Sequence, residues 1–304
     1  MSRYIIDTDR ADVPNAARKY GEKTRGLSAG ERIGGWSFLL AFLLAFVDLR
    51  LSLMVLAGFV GMCFAAPFFP GSSFFLPVVS RGLPTLNAVA LTFDDGPDPQ
   101  TTPELLRLLK KHRAAGTFFV NGRKAGLYPD LIKEILDHGH CVANHSFSHD
   151  VLLAFRSRET VMRDIAAVQD VLRPHGIAPL AFRPPAGITS PRLRPVLRAM
   201  GLFVVNFSCR ARDGGNRWLK NLAQKILRRI RPGDIVLLHD MAPHSAAQLP
   251  LWVDEIDRLL EGIRRKGLIV LPLAELIGRP VMVKTTEGDP CAGLAIASKK
   301  THPL

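Results

Sequence analysis

The sequence has few residues that would staple or ligate a small scaffold. Its 304 residues include only four cysteines, at positions 63, 141, 209 and 291, with no C-x-x-C pair among them. That excludes a zinc ribbon and argues against a disulfide framework. Cys141 does precede His145 and His149 in CVANHSFSH. A structural finger wants a second cysteine close by, and none is present, so Cys141 reads as a small buried residue on a strand. Also missing is a Gly-rich dinucleotide fingerprint after the first strand-like stretch, which weighs against an open nucleotide-binding sheet. Acidic residues are scarce, 27 Asp and Glu against 40 Lys and Arg, for a formal charge of +13. Residues 1 to 32 hold seven basic and five acidic side chains, so nearly all of the excess belongs to the rest of the chain. Such a surface attracts anionic partners. The basic residues are scattered over helical stretches without interleaved aromatics, which disfavours nucleic acid.

Charge is absent altogether from one long run. Two apolar segments lie near the start, IGGWSFLLAFLLAFV at residues 33–47 and LSLMVLAGFVGMCFAAPFFP at residues 51–70, with Asp48 and Arg50 between them. About 20 residues at ~1.5 Å each match the ~30 Å hydrocarbon core of a bilayer, so the second run is long enough to span. The first is short. Arg18, Lys19, Lys23, Arg25 and Arg32 precede both runs, and the positive-inside rule keeps that end cytoplasmic. One crossing, the reading favoured here, anchors the main domain on the extracytoplasmic side; a two-pass hairpin would return it to the cytoplasm. A cleaved signal peptide fits poorly, because its basic region would be too long. The expected organisation is a cytoplasmic segment (1–32), a membrane region (33–70), a connector (71–86), an α/β domain (87–278) and a loose tail (279–304).

At 47% hydrophobic residues the chain can bury a substantial core. Strand-like stretches at Asn87–Phe93, Thr117–Val120, Cys141–His145, Ala181–Arg183, Leu202–Phe207, Asp234–His239 and Leu268–Leu271 alternate with helical patterns. Seven such units predict an irregular seven-stranded (β/α) barrel rather than an open sheet. Polar residues then fall at the carboxyl ends of these strands: Asp94 and Asp95 in LTFDDGPD, His145, Arg183, and His239 with Asp240, while Asp213 follows the fifth strand. In a parallel barrel those ends share one face.

Adjacent carboxylates raise each other's pKa unless a metal or a cationic group takes up the charge. One of the pair Asp94–Asp95 is then free to ligate and the other to act as a base. His145 and His149, four apart, are expected to face the same way over one helical turn. Two imidazoles and one carboxylate leave positions open for water and substrate, as catalytic metal sites do.

The motifs TFDDG, H-S-F-S-H, F-R-P-P-A-G, a late Asp and I-V-L-L-H-D occur in this order, and the chain resembles the polysaccharide deacetylases of the NodB-homology type over roughly residues 87–278. That resemblance implies a divalent metal, commonly Zn2+, with Co2+, Mn2+ or Ni2+ as alternatives, held by Asp95, His145 and His149. Asp94 would be the general base and His239 the general acid, oriented by Asp213. Arg183 would pair with Asp94 and keep it ionised. Ala186, with Pro185 and Leu238, would form the oxyanion and substrate wall. The implied reaction is hydrolysis of N-acetyl groups from N-acetylglucosamine-type units of a chitooligosaccharide or peptidoglycan-like glycan. A lipid-linked amino sugar undergoing deacylation or deformylation is an alternative, and so is a catalytically weak glycan binder. Ala186 stands where an aromatic residue is frequent in the family, and Gly214 where a tryptophan is frequent, so the apolar wall is expected to be thinned.

Overall fold

The computed structural model describes residues 26–285. Two helices come first, α1 (Ala29–Ala45) and α2 (Leu49–Ala65). Ser28 and Glu31 form a reciprocal capping box that starts α1, and the Asp48 side chain caps α2 by accepting from the Arg50 amide. The turn between them is three residues, so the helices run antiparallel, and Gly34 lets the Phe59 ring come within 2.7 Å of where a Cβ would stand. Among the described residues one helical stretch, Leu49–Phe68, is long and apolar enough to cross a membrane by length and composition. The two apolar segments pack as a hairpin whose outer ends both return to the α/β domain.

That domain carries β1 (Val78–Val79), β2 (Ala88–Asp94), β3 (Gly116–Val120), β4 (Cys141–Asn144), β6 (Ala181–Phe182), β7 (Phe203–Val205), β8 (Cys209–Arg210), β9 (Ile235–His239) and β10 (Ile269–Val270) in one sheet. Its order is β1-β7-β6-β4-β3-β2-β9-β8, every pairing is parallel, and β10 joins the first residues of β2. All seven expected strands are present within a residue or two. The irregular barrel is only half closed: β1 and β8 are opposite edges of a curled sheet. The short strands β1 and β8 were not foreseen, because two residues carry no readable alternation.

The helices fill the outer layer. In α3 (Thr102–His112), Leu105, Leu106, Leu108 and Leu109 are buried, while Lys110, Lys111 and His112 complement the carboxyl end of the helix dipole. In α9 (Leu249–Arg265), Trp252, Ile256, Leu259, Leu260 and Ile263 recur at helical spacing and are all at most 3% exposed. Each such burial contributes roughly 1.5–3 kcal/mol. The remaining helices are α4 (Gly122–Leu127), α5 (Pro129–Asp137), α6 (Arg158–Leu172), α7 (Leu193–Ala199), α8 (Leu222–Leu227) and α10 (Leu273–Ile277).

The tail expected to be loose from about Val281 is ordered to Thr285. Its strand β11 (Met282–Lys284) pairs antiparallel with β5 (Ile177–Pro179), and the Val281 carbonyl accepts from the amides of Leu180 and Ala181. Three apolar residues in a row were too short a signal to read, yet Val281, Met282 and Val283 are all nearly fully buried. The rest of the expected tail lies outside the described residues. Replacing Met282 with Ala should therefore cost about 2–5 kcal/mol in a denaturant titration; a loose tail would lose nothing.

Candidate active site

Asp94 ends β2 and pairs in register with His239 at the end of β9, so a carboxylate and an imidazole stand on neighbouring strands. The backbone binds them further, since the Asp240 amide donates to the Asp94 carbonyl at 2.7 Å. Arg183, at the end of β6, is fully buried. Its Nη1 donates to Asp94 Oδ1 at 2.6 Å and to Thr92 Oγ1 at 2.9 Å, its Nε to the Val205 carbonyl, and its Nη2 to the Asn206 carbonyl, both at 3.1 Å. Taken alone, Arg183 reads as a surface ion pair; here it is a buried cation whose plane lies over the Phe119 ring at 3.9 Å.

Asp95 leaves the strand with a φ of 73°, in the left-handed region, which turns its carboxylate away from that of Asp94 and towards two imidazoles. Its Oδ1 lies 3.4 Å from His145 Nε2 and 2.8 Å from His149 Nε2. The histidines do not share a helical turn as the spacing suggested. They occupy a loop in which Ser146 and His149 both have positive φ. That loop is pinned from below: the Phe147 and Ser148 amides donate to the two carboxylate oxygens of Asp164 on α6, and the His149 amide donates to Ser146 Oγ. Asp164 had no sequence signal, because its role is to collect amides from a loop 16 residues away.

A divalent ion fits this trio. The ligand atoms of Asp95, His145 and His149 all lie within 4.8 Å of one another, and tetrahedral bonds of about 2.1 Å want ligands roughly 3.4 Å apart. Asp95 Oδ1 is buried and has no hydrogen-bond partner, an anionic oxygen left for a cation to complete. His145 Nδ1 sits 2.8 Å from the Arg183 carbonyl, which can only accept, so Nδ1 carries the proton and the Nε2 lone pair faces Asp95. Burial alone would lower the His145 pKa, but the charges of Asp94 and Asp95 raise it above its ordinary value. Burial alone would raise Asp95, yet the two imidazoles hold it well below the usual carboxylate range. Both shifts express a pocket that favours positive charge at this point.

On the other side, His239 Nδ1 lies 2.9 Å from Asp213 Oδ2. That oxygen also accepts from the Asn216 amide, and the Asn216 side chain donates to the carbonyls of His239 and Met241. Burial by itself would lower the His239 pKa; the hydrogen bond and charge of Asp213, with Asp95 and Asp94 further off, push it up to about 9. Near neutral pH the imidazole is a proton donor with a fixed ring.

Two further residues had no role in the sequence reading: Asp240, read only as a strand-end residue, and Trp218. Asp240 is fully buried and accepts from Thr101 Oγ1 and Thr102 Oγ1, each at 2.7 Å. Burial and the charge of Asp98 push it up to about 7, against the two hydroxyls. Its Oδ2 would lie 2.2 Å from a Cβ at Gly96, which is why the DDG turn ends in glycine. Trp218 stands over Gly214, its ring 2.8 Å from where a Cβ would be. An aromatic ring therefore lies beside position 214 although the residue there is glycine. Ala186 is exposed with φ 55°, in a turn whose Gly187 and Ile188 amides are used internally. Pro185 is buried, and Leu238, 1% exposed, belongs to the main core.

An acid raised to about 9 donates below that pH and fails above it. Replacing Asp213 with Asn should therefore move the alkaline limb of the kcat/KM profile to lower pH, by at least about one unit. An unmoved limb would show that another group sets it.

Comparison with known proteins follows the same lines. Residues 84–205 match the family model described as polysaccharide deacetylase. A peptidoglycan-N-acetylglucosamine deacetylase of Bacillus cereus is 31% identical over 191 residues, covering 62% of this chain and 87% of that protein. A chitooligosaccharide deacetylase of Sinorhizobium fredii is 33% identical over 208 residues, covering 66% of this chain and 97% of that one. Among solved structures, a peptidoglycan N-acetylglucosamine deacetylase with a bound benzamide compound superposes with a TM-score of 0.62 at 28% identity, over 67% of this chain and 94% of that one. A family 4 carbohydrate esterase from Streptomyces lividans in complex with acetate gives 0.56 at 30% identity, over 64% and 96%. Sequence and fold agree: the chain belongs to the polysaccharide deacetylase family and is a hydrolase.

Proposed function

We propose that this protein hydrolyses the N-acetyl group of N-acetylglucosamine-type units in a glycan, releasing acetate and leaving a free amine. The observation that carries the reading is the register of β2 against β9, which sets a carboxylate base and an imidazolium acid side by side next to the Asp95–His145–His149 trio. The peptidoglycan and chitooligosaccharide deacetylases among its relatives support the substrate class.

In this reading Asp95, His145 and His149 hold a divalent metal, and their nitrogen and oxygen donors suit zinc. A bound ion would supply Lewis acidity to water and to the acetyl carbonyl. Asp94 accepts a proton from the attacking water as its oxygen bonds to the carbonyl carbon. Arg183 holds the Asp94 carboxylate by Oδ1, which leaves Oδ2 for that proton. As the carbon–nitrogen bond breaks, His239 delivers its proton to the departing amine. The Ala186 backbone N–H, in the turn that follows Arg183, is the candidate donor to the developing oxyanion. The products balance as acetate and a glucosamine unit.

Anchoring to a membrane rests on the apolar helices. An extracytoplasmic domain would follow from a single crossing; the antiparallel packing of α1 and α2 instead supports a hairpin whose two ends share one side. Arg18, Lys19, Lys23, Arg25 and Arg32 precede the apolar run of α1, and the positive-inside bias makes that side cytoplasmic.

Two experiments test these readings. With the metal-loaded protein and a chitooligosaccharide, Asp94→Asn should lower acetate release by about 10²–10⁴-fold while metal content stays stoichiometric; turnover that survives would remove Asp94 as the base. For topology, a C-terminal fluorescent-protein fusion should glow and an alkaline-phosphatase fusion should be inactive. The opposite pattern would restore the single crossing.

A further inference from the structure

The hairpin does not join the domain at an arbitrary place. Its outer ends dock on the rim that surrounds the catalytic pocket. Where α2 runs out, the Asn206 side chain donates to the Pro70 carbonyl at 2.6 Å and to the Gly187 carbonyl at 3.1 Å. The Pro70 ring lies 3.1 Å from where a Cβ of Gly187 would stand. Gly187 follows Ala186, and Asn206 gives its own carbonyl to Arg183, the partner of Asp94. Only two residues, Asn206 and Arg183, therefore separate the foot of the apolar hairpin from Asp94. The start of α1 is tied to the same rim: the Gly30 amide donates to the Phe74 carbonyl at 2.8 Å, and Glu31 pairs with Arg194 in the first turn of α7 at 2.9 Å.

The hairpin itself is dressed for lipid. Trp36, Phe42, Phe46, Val47, Met54 and Phe64 are all more than 60% exposed, and the Leu49–Phe68 stretch has a mean hydropathy of 2.0 with only 17% of its most apolar window buried. Twenty helical residues reach about 30 Å, the thickness of the hydrocarbon core, so Asp48 and Arg50 at the tip reach the far headgroups when the foot sits at the near ones. A second feature, independent of the hairpin, lies on the same rim. Directly after the ligand His149, Val151, Leu152 and Phe155 are 46%, 52% and 41% exposed. That loop is fastened to the α7 side of the rim, where Ser190 donates to the Ala154 carbonyl and Arg192 to the carbonyls of Phe155 and Arg156. Exposed apolar residues flanked by arginines suit the boundary between acyl chains and anionic headgroups.

We propose that the hairpin enters the bilayer as a unit and seats the mouth of the pocket at the membrane surface, with Val151, Leu152 and Phe155 touching lipid, so that the substrate is an N-acetylated saccharide carried on a membrane lipid rather than a free polymer. This rests on the deacetylase reading above and goes beyond it in naming how the sugar is presented. A sugar joined directly to its lipid lies within a headgroup's depth of the bilayer, where only a pocket held at that surface can engage it.

The test uses the full-length, metal-loaded protein in liposomes with three substrates at equal sugar concentration: N-acetylglucosamine joined directly to a membrane lipid, the same sugar on a long polyethylene glycol spacer, and a soluble chitooligosaccharide. The directly joined sugar should release acetate at least ten times faster than the soluble one and no slower than the spaced one. The double variant V151E/L152E should lose at least fivefold on the directly joined sugar while soluble turnover stays within twofold. A directly joined sugar that is inert while the soluble one is cleaved overturns the membrane-surface site, and so does a double variant unchanged on all three. No acetate from any of the three overturns the deacetylase reading itself.

Discussion

The buried ion pair between Arg183 and Asp94 is the constraint on which the rest depends. A guanidinium with no exposure is tolerable only if its donors are met, and here they reach Thr92 and Asp94 on β2 and the carbonyls of Val205 and Asn206 at the end of β7. Removing one partner of such a pair would strand the other, at about 3–5 kcal/mol. The pair therefore fixes the geometry of three strand ends at once. It also holds Asp94 by one oxygen, Oδ1, and leaves the other towards His145, 3.7 Å from its Nε2.

Around that centre the chain stores backbone strain where it is useful. Of the eight non-glycine residues with positive φ among the described residues, Asp95, Ser146, His149 and Ala186 fall in the segments that carry Asp94, the two histidines and Arg183. Each such conformation costs on the order of 1–3 kcal/mol and persists only where neighbours over-determine it. The neighbours are identifiable: Asp240 fills the space beneath Gly96, Asp164 gathers the amides of the histidine loop, and Asn216 ties the Asp213 turn to the end of β9. Buried polar groups outside the Asp95–His145–His149 trio thus supply the rigidity that holds the site residues in place.

The hairpin extends the same logic outward. Asn206 faces both ways, giving its carbonyl to Arg183 and its side-chain amide to Pro70, so the apolar hairpin is bolted to the strand ends that carry Arg183. An element fixed in this way would, if it enters a bilayer, restrict the orientation of the site as well as its distance from the surface.

Local pattern determined much of this protein. Alternating strand and helix periods give the parallel α/β class, and the polar residues at strand ends point to one chemical face, since both are properties of neighbouring residues along the chain. The motifs around Asp94, His145, Arg183 and His239 carry the residue types the chemistry needs. Tertiary structure alone decided what depends on distant groups meeting. It left the sheet open, with two-residue edge strands too short to leave a pattern, and turned residues 282–284 into a strand by pairing them with residues 177–179. It made the His145–His149 loop a strained turn on Asp164, moved an aromatic from position 218 over Gly214, and folded two apolar runs back to back. Hydropathy reports how apolar a segment is, and only packing reports which way it returns.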